Sequence, residues 1–321
     1  MEQRKIIIDC DPGHDDAVAI LLALASPKDI DVLGITCVAG NVPLTLTTRN
    51  ALSICELAGR TDANVYGGCS KPMFRPLVTA EYVHGSSGLD LDDGATLPCP
   101  TMCLEAQHAV PFIVETVMTQ PPNSVTLCLL GPLTNIATAF GEEPAIISRI
   151  QEIILMGGAA ISPGNVTPSA EFNMYVDPEA ADIIFRSGAP ITMMGLDVTH
   201  QVLITEQIQE RIRNIGSTVS TIVADLMSFY CRFDLERYGM LGGPLHDPCV
   251  IGHVIDDEIF NFKEINVMIE KSSALTRGET VSDWWQVTDR PINCKVAESV
   301  NTERFFNLLI ERISNFPIDQ L

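Results

Sequence analysis

The N-terminal segment joins a short apolar run to a helical pattern through a turn rich in aspartate. Residues 6–8 are three consecutive isoleucines, a run typical of a buried strand, and Pro12-Gly13 ends it. Beyond this turn, apolar residues recur at helical spacing between Ala17 and Leu24, which predicts a helix beginning near Asp15. A buried strand followed directly by a helix is the repeating unit of α/β proteins, so this segment favours that class of fold.

The turn itself carries four carboxylates. Asp9, Asp11, Asp15 and Asp16 would repel one another and raise one another's pKa unless a cation lies among them. The helix dipole stabilises an acid at a helix start by about 0.3–1 kcal/mol, which is too little to hold all four together. A hard divalent cation with oxygen ligands would be enough. The alternative is a set of solvated acids on a surface turn.

Strand and helix patterns continue to alternate along the chain. This order predicts an α/β fold with a mostly parallel open sheet flanked by helices (Rossmann-like), whose active site lies at the carboxyl ends of the strands. We expect one domain over residues 1–321. Further strands are predicted at 31–38, 64–66, 124–130, 153–156, 190–196, 264–270, 279–285 and 293–296, and further helices at 44–58, 102–118, 178–187, 218–233 and 301–313.

The overall charge and the cysteine pattern narrow the possible functions. The formal net charge is −21 and the chain has no run of Lys or Arg, so no nucleic-acid or anionic-membrane surface is expected. Ten cysteines are scattered without a CxxC pair, which is typical of reduced thiols in a cytoplasmic protein. No apolar run reaches the ~18 residues of a membrane span, and no signal-peptide pattern precedes the first strand.

Carboxylates and amides follow the other predicted strands as well. Asn41 follows the second strand, Glu171 and Asn173 lie in the loop after 153–156, and Asp197 ends a later strand. Because strand ends converge on one edge of such a sheet, these groups can share one crevice. A phosphate site would need cations or an anion-binding nest. A site lined by carboxylates and amides instead suits neutral hydroxyls, most simply those of a sugar, together with a metal.

His246-Asp247 is a second candidate for chemistry, placed just before Pro248, which suits the first turn of a helix. Asp247 could add a carboxylate to the cation site, while His246 could act as an acid or a proton shuttle. The alternative for His246 is a structural histidine bonded to the backbone at a helix start.

Several other conspicuous residues are expected to be structural. Trp284-Trp285 lies in a strand pattern and is expected in the core. His14 is expected to face solvent. The histidines expected to be structural are His108, His200 and His253.

A series of short motifs resembles one enzyme family. In order along the chain they are Asp9-x-Asp11-Pro-Gly-x-Asp15-Asp16-Ala17, Ala39-Gly-Asn41, His84-Gly, Gly131-Pro-Leu-Thr-Asn135, Leu155-Met-Gly-Gly158, Asn165-x-Thr-Pro-x-Ala-Glu171-Phe-Asn173, Asp177-Pro-Glu-Ala180 and His246-Asp247. Each motif alone is weak, but the ordered series resembles the inosine–uridine-preferring nucleoside hydrolases over essentially the whole chain. The likeness is greatest to the bacterial pyrimidine-preferring ribonucleoside hydrolases.

The resemblance implies a Ca²⁺-dependent enzyme that cleaves the N-glycosidic bond of ribonucleosides, by preference those of pyrimidines. The implied Ca²⁺ ligands are Asp11, Asp16, the backbone carbonyl of Leu130, and Asp247. Such a set agrees with general chemistry, since Ca²⁺ takes 6–8 oxygen ligands at ~2.3–2.6 Å. Asp11 would also be the base that activates a water for attack on C1′ of the ribose, where oxocarbenium-like charge develops.

The resemblance also assigns the substrate contacts. Ribose would be held by Asp15, Asn41, Glu171 and Asn173, in a pocket that includes Met156, Asn165 and Phe172. The leaving base would meet His246 and His84, together with Tyr230, Asp234 and Tyr238. An acid at position 234 would favour a donor edge on the base, so the balance between cytidine and uridine stays open. Relatives commonly form homotetramers or homodimers, and a homotetramer is expected here.

Two alternatives remain open at this stage. A phosphatase of the haloacid-dehalogenase type also begins with a strand and Asp-x-Asp, but Pro12-Gly13 stands where that family needs a small hydroxyl residue. Basic residues are also missing from the later strand ends. The second alternative is a nucleoside- or Ca²⁺-binding protein without turnover.

Asp9 has no place in the implied ligand set and is expected to be a supporting acid.

Overall fold

A computed structural model describes residues 3–91, 96–239 and 241–318, without the side chains of Asp234 and Tyr238. Its strands are Arg4–Cys10 (β1), Ile30–Cys37 (β2), Val65–Gly67 (β3), Val125–Leu129 (β4), Glu152–Met156 (β5), Ile191–Met194 (β6), Leu203–Ile204 (β7), Gly243–Pro244 (β8), Phe260–Ile265 (β9), Val267–Ile269 (β10), Thr280–Ser282 (β11) and Cys294–Val300 (β12).

The helices alternate with these strands over most of the chain. They are His14–Leu24 (α1), Leu44–Leu57 (α2), Glu81–His84 (α3), Ala109–Thr119 (α4), Thr134–Glu142 (α5), Phe172–Val176 (α6), Pro178–Arg186 (α7), Leu196–Thr199 (α8), Glu206–Arg213 (α9), Thr218–Tyr238 (α10), Pro248–Ile255 (α11) and Thr302–Ile313 (α12). Within the described ranges, no helix has the length and apolar character that crossing a membrane requires.

The central sheet has eight strands in the order β3-β2-β1-β4-β5-β6-β12-β9. All neighbouring strands are parallel except β12 and β9, which are antiparallel. The predicted α/β class with a mostly parallel sheet flanked by helices is therefore confirmed. The strand order reverses between β1 and β4, and the crevice outside the carboxyl ends at such a point is where open α/β sheets bind ligands.

The three isoleucines of β1 form the apolar middle of this strand. Ile6 and Ile8 pack into one core with the helix that follows, whereas Ile7 packs into a second core on the other face of the sheet. All three side chains are fully buried. Since side chains alternate across a strand, a central strand covered by helices on both faces buries consecutive residues, which explains the unbroken run of isoleucines.

Several predicted boundaries differ from the structure. The helix predicted at 102–118 begins only at Ala109, because the Glu105 N–H donates to the Val65 carbonyl and His108 caps the helix with Nδ1. The pattern at 218–233 is one helix that continues to Tyr238 and ends at left-handed Gly239. The core position predicted for Trp285 is wrong, since that side chain is 80% exposed.

Candidate active site

A pocket opens over the carboxyl ends of the central strands. Most of the predicted site residues line it: Asp15, Asn41, His84, Leu130, Met156, Asn165, Glu171, Phe172, Asn173, Tyr230, His246 and Asp247. Asp11 and Asp16 are buried beside its floor. The side chains of Asp234 and Tyr238, predicted to contact the base, lie outside the described part of the chain.

The aspartate turn is held by its own backbone. Asp16 stands in the first turn of α1, and its two carboxylate oxygens accept the N–H groups of Asp11 at 3.2 Å and Gly13 at 3.0 Å. Asn41 ties the loop after β2 to this turn, donating from its side chain to the Asp11 carbonyl at 3.1 Å. These bonds fix the direction of the Asp16 carboxylate and hold the loop after β2 against the turn.

Asp11 is enclosed by two glycines that no other residue could replace without a shift. A Cβ on Gly40 would lie 2.0 Å from Asp11 Oδ2, and one on Gly131 would lie 2.4 Å from Oδ1. The Asn41 N–H donates to Oδ2 at 2.7 Å. The loops after β2 and β4 therefore close on this carboxylate from both sides and fix its position.

Three carboxylates form a tight cluster on the pocket floor. Asp15, Asp16 and Asp247 each place an oxygen within 4.8 Å of the others, and all three are buried. Asp15 and Asp16 are in the first turn of α1, and Asp247 is the N-cap of α11. Two helix N-termini thus point at one group of acids, which the helix dipoles stabilise only by fractions of a kcal/mol up to about 2.

The pKa values of the acids at the pocket floor are raised strongly above their usual range. Burial, followed by the Asp16 charge, raises the pKa of Asp15 to about 8, while burial raises the pKa of Asp16 to about 6. Burial and the neighbouring carboxylates raise the pKa of Asp11 and of Asp247 well above the usual range. No Lys or Arg is present among the described residues that line the pocket. Buried carboxylates without a basic partner suit a bound cation, so the floor can hold a metal ion.

The predicted ligand set and the observed cluster overlap without being identical. Asp16 and Asp247 belong to both, whereas the cluster adds Asp15, which was assigned to ribose. The predicted carbonyl ligand, that of Leu130, accepts the Asn173 side-chain N–H at 2.8 Å. A carbonyl oxygen has two lone pairs, so this bond leaves one for a cation.

The predicted sugar wall is built around Glu171. This carboxylate caps α6 and accepts the N–H groups of Gly158 at 2.9 Å and Asn173 at 2.9 Å. Asn173 in turn bridges the Leu130 and Met156 carbonyls through its amide nitrogen. The wall is therefore tied to the ends of β4 and β5, and its orientation is set by the sheet.

Two further strand-end acids support the site from outside the pocket. Asp9 accepts hydrogen bonds from Thr36 at 2.5 Å and Asn135 at 2.7 Å, and its burial raises its pKa to about 7. Asp197 accepts three backbone N–H groups of residues 160–162 at 2.6–2.9 Å. Asp197 therefore orders the loop after β5 and does not line the pocket.

His246 lines the same pocket as the sugar wall. Its Nδ1 is 2.7 Å from the Thr199 hydroxyl, so its partner is a side chain and not the backbone. Burial and the nearby His200 lower the pKa of His246 to about 3. The imidazole is therefore neutral at physiological pH and offers either a donor or an acceptor, with no positive charge.

His84 is paired with a histidine that was expected to face solvent. That expectation for His14 is wrong: its side chain is fully buried, with Nδ1 3.2 Å from His84 Nδ1 and Nε2 2.8 Å from the Asp90 carbonyl. The His14 ring also stacks on Phe229 of α10, with centroids 5.0 Å apart. Burial lowers the pKa of His14 to about 4 and that of His84 well below its usual range.

The pocket also contains residues that the sequence did not reveal. These are Ala80, Tyr82, Val83, His200 and Phe233. Phe233 lies three residues after Tyr230 on the same helix, so helical spacing could have identified it. His200 follows the short helix α8 and carries no local signal, because its place in the pocket depends on the position of His246.

Comparisons with known proteins agree with this geometry. The sequence profile of the inosine–uridine preferring nucleoside hydrolases matches residues 6–307. A relative from Photobacterium profundum, described as a pyrimidine-specific ribonucleoside hydrolase, is 46% identical over 314 residues, which is 98% of this chain and 99% of the relative.

Solved structures show the same likeness. The purine-preferring ribonucleoside hydrolase from Gardnerella vaginalis superposes with a TM-score of 0.90 at 35% identity, covering 98% of this chain and 99% of that one. A plant nucleoside hydrolase superposes with a TM-score of 0.89, also at 35% identity, with the same coverage. The neighbours and relatives are enzymes that cleave N-glycosidic bonds. This chain therefore belongs to the inosine–uridine preferring nucleoside hydrolase family.

Proposed function

We propose that this chain is a Ca²⁺-dependent hydrolase of pyrimidine ribonucleosides, releasing ribose and the free base. The observation that carries the proposal is one pocket lined by two unlike groups of residues. The first is the buried cluster of Asp15, Asp16 and Asp247, called here the floor, and the second contains the uncharged His84 and His246, called here the far wall. Carboxylates suit a cation and sugar hydroxyls, whereas neutral N–H donors suit a departing base.

Ca²⁺ is the metal that the donor set supports best. The clustered groups are all carboxylates, with the Leu130 carbonyl beside them, and hard oxygen donors favour Ca²⁺ over softer metals. Asp11, Asp16 and Asp247 with Leu130 would hold it. When bound, the ion would keep these carboxylates ionised and make a water easier to deprotonate.

Asp11 is the proposed base. Its carboxylate is fixed between the two glycine loops, so it can take a proton from a water as that water attacks C1′. The bond between C1′ and the base nitrogen breaks, and its electron pair leaves with the base. Asp15, Asn41, Glu171 and Asn173 would bind the ribose hydroxyls, and binding energy there helps distort the ring towards the transition state.

The preference for pyrimidines rests on the relatives and on the crowded far wall. The relative described as pyrimidine-specific shares 46% identity, compared with 35% for the structural neighbour described as purine-preferring. In the far wall, the rings of His84 and Tyr230 are stacked with their centroids 5.5 Å apart and an interplanar angle of 27°, and we infer that they restrict the room for the base.

A substrate panel tests the function directly. Uridine, cytidine, inosine and adenosine are incubated with the purified protein, with and without a chelator, and the reducing sugar released is measured. We expect turnover of uridine or cytidine to exceed that of the purine nucleosides, and the chelator to abolish it. Release of phosphate from a nucleotide without release of sugar would favour the phosphatase alternative, which has no support from the comparisons.

The proposal includes a homotetramer and a cytoplasmic location. All ten cysteines are free and most are buried, which agrees with a reducing compartment. Light scattering coupled to gel filtration measures the assembly directly, and a mass near that of one chain would contradict the tetramer.

A further inference from the structure

The hydroxyl of Thr199 is placed to control the chemistry of His246. Thr199 ends α8 and is fully buried beneath the pocket, outside the residues that line it. Its Oγ1 lies 2.7 Å from His246 Nδ1. The inference below rests on the proposed function, because it concerns how the leaving base is met.

The hydrogen-bonding capacity of the two groups shows which of them donates in the bond between Thr199 and His246. Among the described residues, His246 Nδ1 is the single hydrogen-bond partner of the Thr199 hydroxyl. If Nδ1 carried the proton, the buried O–H of Thr199 would have no acceptor, at a cost of about 1–3 kcal/mol. If the hydroxyl donates instead, both groups are satisfied. Nδ1 is therefore the acceptor, and the ring proton is on Nε2.

The other ring nitrogen is available to a ligand. Nε2 of His246 makes no hydrogen bond to the described residues, and the ring lines the pocket together with His200, whose centroid is 5.7 Å away. We propose that Thr199 is a positioning residue that fixes His246 as the Nε2–H tautomer and so presents an N–H donor to the departing base.

The step balances without a proton leaving His246. Water loses one proton to Asp11 and forms the new C1′–O bond, while the C1′–N bond breaks and its electron pair goes to the base. The base departs as an anion that accepts a hydrogen bond from Nε2–H. It then takes a proton from solvent, and Asp11 returns its proton to solvent. His246 acts as a hydrogen-bond donor throughout, in the manner of an oxyanion-hole group.

Substitution of Thr199 separates this role from a structural one. Thr199→Val removes the hydroxyl at nearly constant volume, and Thr199→Ser keeps it. The measurements are kcat and KM for uridine and for p-nitrophenyl β-riboside, whose leaving group is a stable anion that needs little help. We expect Thr199→Val to lower kcat for uridine by about 10–100-fold and kcat for the nitrophenyl substrate by less than about 3-fold.

Two controls complete the activity test. Thr199→Ser is expected to restore uridine turnover to within about 3-fold of wild type, because its hydroxyl can make the same bond. Thr126→Val changes another fully buried threonine, on β4, whose hydroxyl has no partner among the described residues, and is expected to leave both substrates unaffected. Equal losses on both substrates in Thr199→Val, or no loss on either, would overturn the proposal.

A spectroscopic measurement does not depend on turnover. ¹⁵N NMR of the histidine-labelled wild-type protein distinguishes protonated from unprotonated ring nitrogens, and His246→Gln assigns the signals. An Nε2–H signal for His246 supports the proposal, and an Nδ1–H signal overturns it even if Thr199→Val does not fold. A wild-type protein that hydrolyses no ribonucleoside would reject the proposed function, while the NMR result would still decide the tautomer.

Discussion

The floor and the far wall of the pocket are built in different ways. The floor carboxylates are held by backbone N–H groups and by glycine loops at the ends of β1, β2 and β4, as with Asp11 and Asp16. The far wall relies more on contacts between side chains, namely His84 on His14, His14 on Phe229, and His246 on Thr199, although the His14 backbone N–H also donates to His84 Nδ1 at 3.3 Å. Backbone groups hold the floor carboxylates in place whatever the neighbouring side chains are. Contacts between side chains, by contrast, can be altered by single substitutions.

This difference indicates that the floor determines the chemistry and that the far wall determines which base is accepted. The structural neighbour described as purine-preferring shares the fold of this chain at a TM-score of 0.90, so the two proteins have in common the sheet whose edge positions the floor. The far wall depends on α3 and α10, and α3 is a helix of four residues between irregular segments. We infer that substitutions in the floor abolish turnover, while those in the wall change which base is accepted.

Removal of the metal is expected to have the largest effect. A chelator should abolish uridine turnover, because the ribose and the water would lose the charge that organises them. Added Ca²⁺ should restore activity, and the measurement is initial rate against free Ca²⁺. Full activity after exhaustive chelation would show that the floor needs no cation.

The chelated protein should also become less stable as the pH rises. The folded pKa of Asp15, about 8, and that of Asp16, about 6, lie above their unfolded value of 3.8. The folded state therefore binds more protons, so its stability is fully present below about pH 4 and is lost towards pH 8. Each unit of pKa difference corresponds to about 1.4 kcal/mol. Melting temperature against pH, with and without Ca²⁺, should show rescue that grows with pH.

The Asp11→Asn substitution is expected to have the next largest effect on uridine turnover. The amide cannot take a proton from water, so uridine kcat should fall by about 10²–10⁴-fold while the protein stays folded. Asp197→Asn is the matched control: this strand-end acid binds three loop N–H groups outside the pocket, and its loss should lower the melting temperature far more than kcat. Wild-type turnover of Asp11→Asn would refute the assignment of the base.

Much of the floor could be predicted from the sequence, because its signals are local. Asp11 and Asp16 follow a buried strand within one turn, and Asn41 follows the next strand, so the strand-end rule brings them together. Leu130 and Met156 end two predicted strands, but the roles of Leu130 as a ligand and of Met156 as a sugar-pocket residue rest on the family resemblance. A backbone carbonyl and a buried methionine have no sequence pattern that marks them as part of a site.

The far wall could not be predicted in the same way. His14 appeared to be a solvent-facing residue of the aspartate turn, yet its partners His84 and Asp90 lie some seventy residues away. His200 and His246 both line the pocket with their ring centroids 5.7 Å apart, although they lie on different parts of the chain. Contacts of this kind depend on how α3, α8 and α10 are placed, and helical spacing contains no information about that.

Removing a ribose hydroxyl from the substrate should weaken its interaction with the floor residues and leave its contacts with the far wall unchanged. Replacing uridine by 2′-deoxyuridine removes a partner of the carboxylate and amide groups, which are then buried without a hydrogen bond. We expect kcat/KM to fall by about 10²-fold or more. Comparable efficiency on both nucleosides would contradict the assignment of Asp15 and its neighbours to ribose.

The smallest expected effect comes from His14→Phe, at the point where the two regions meet. The backbone of His14 belongs to the aspartate turn and its ring belongs to the wall. Phenylalanine keeps the ring stacking and the backbone N–H bond to His84 and loses only the two ring-nitrogen hydrogen bonds, to His84 and to the Asp90 carbonyl, each worth about 1 kcal/mol. Uridine kcat/KM should fall by only about 3–10-fold, a loss of about 0.7–1.4 kcal/mol.

The Ca²⁺ dependence of activity distinguishes the two regions in this variant. If floor and wall are separate scaffolds, the Ca²⁺ concentration for half-maximal activity of His14→Phe should equal that of wild type. His253→Phe is the matched control: this buried histidine contacts Phe262 outside the pocket, and its loss should leave both the Ca²⁺ midpoint and kcat/KM unchanged. A shift in the Ca²⁺ midpoint as large as the loss in kcat/KM would mean that the wall and the floor are one mechanical unit, and that base preference cannot be altered without disturbing the metal site.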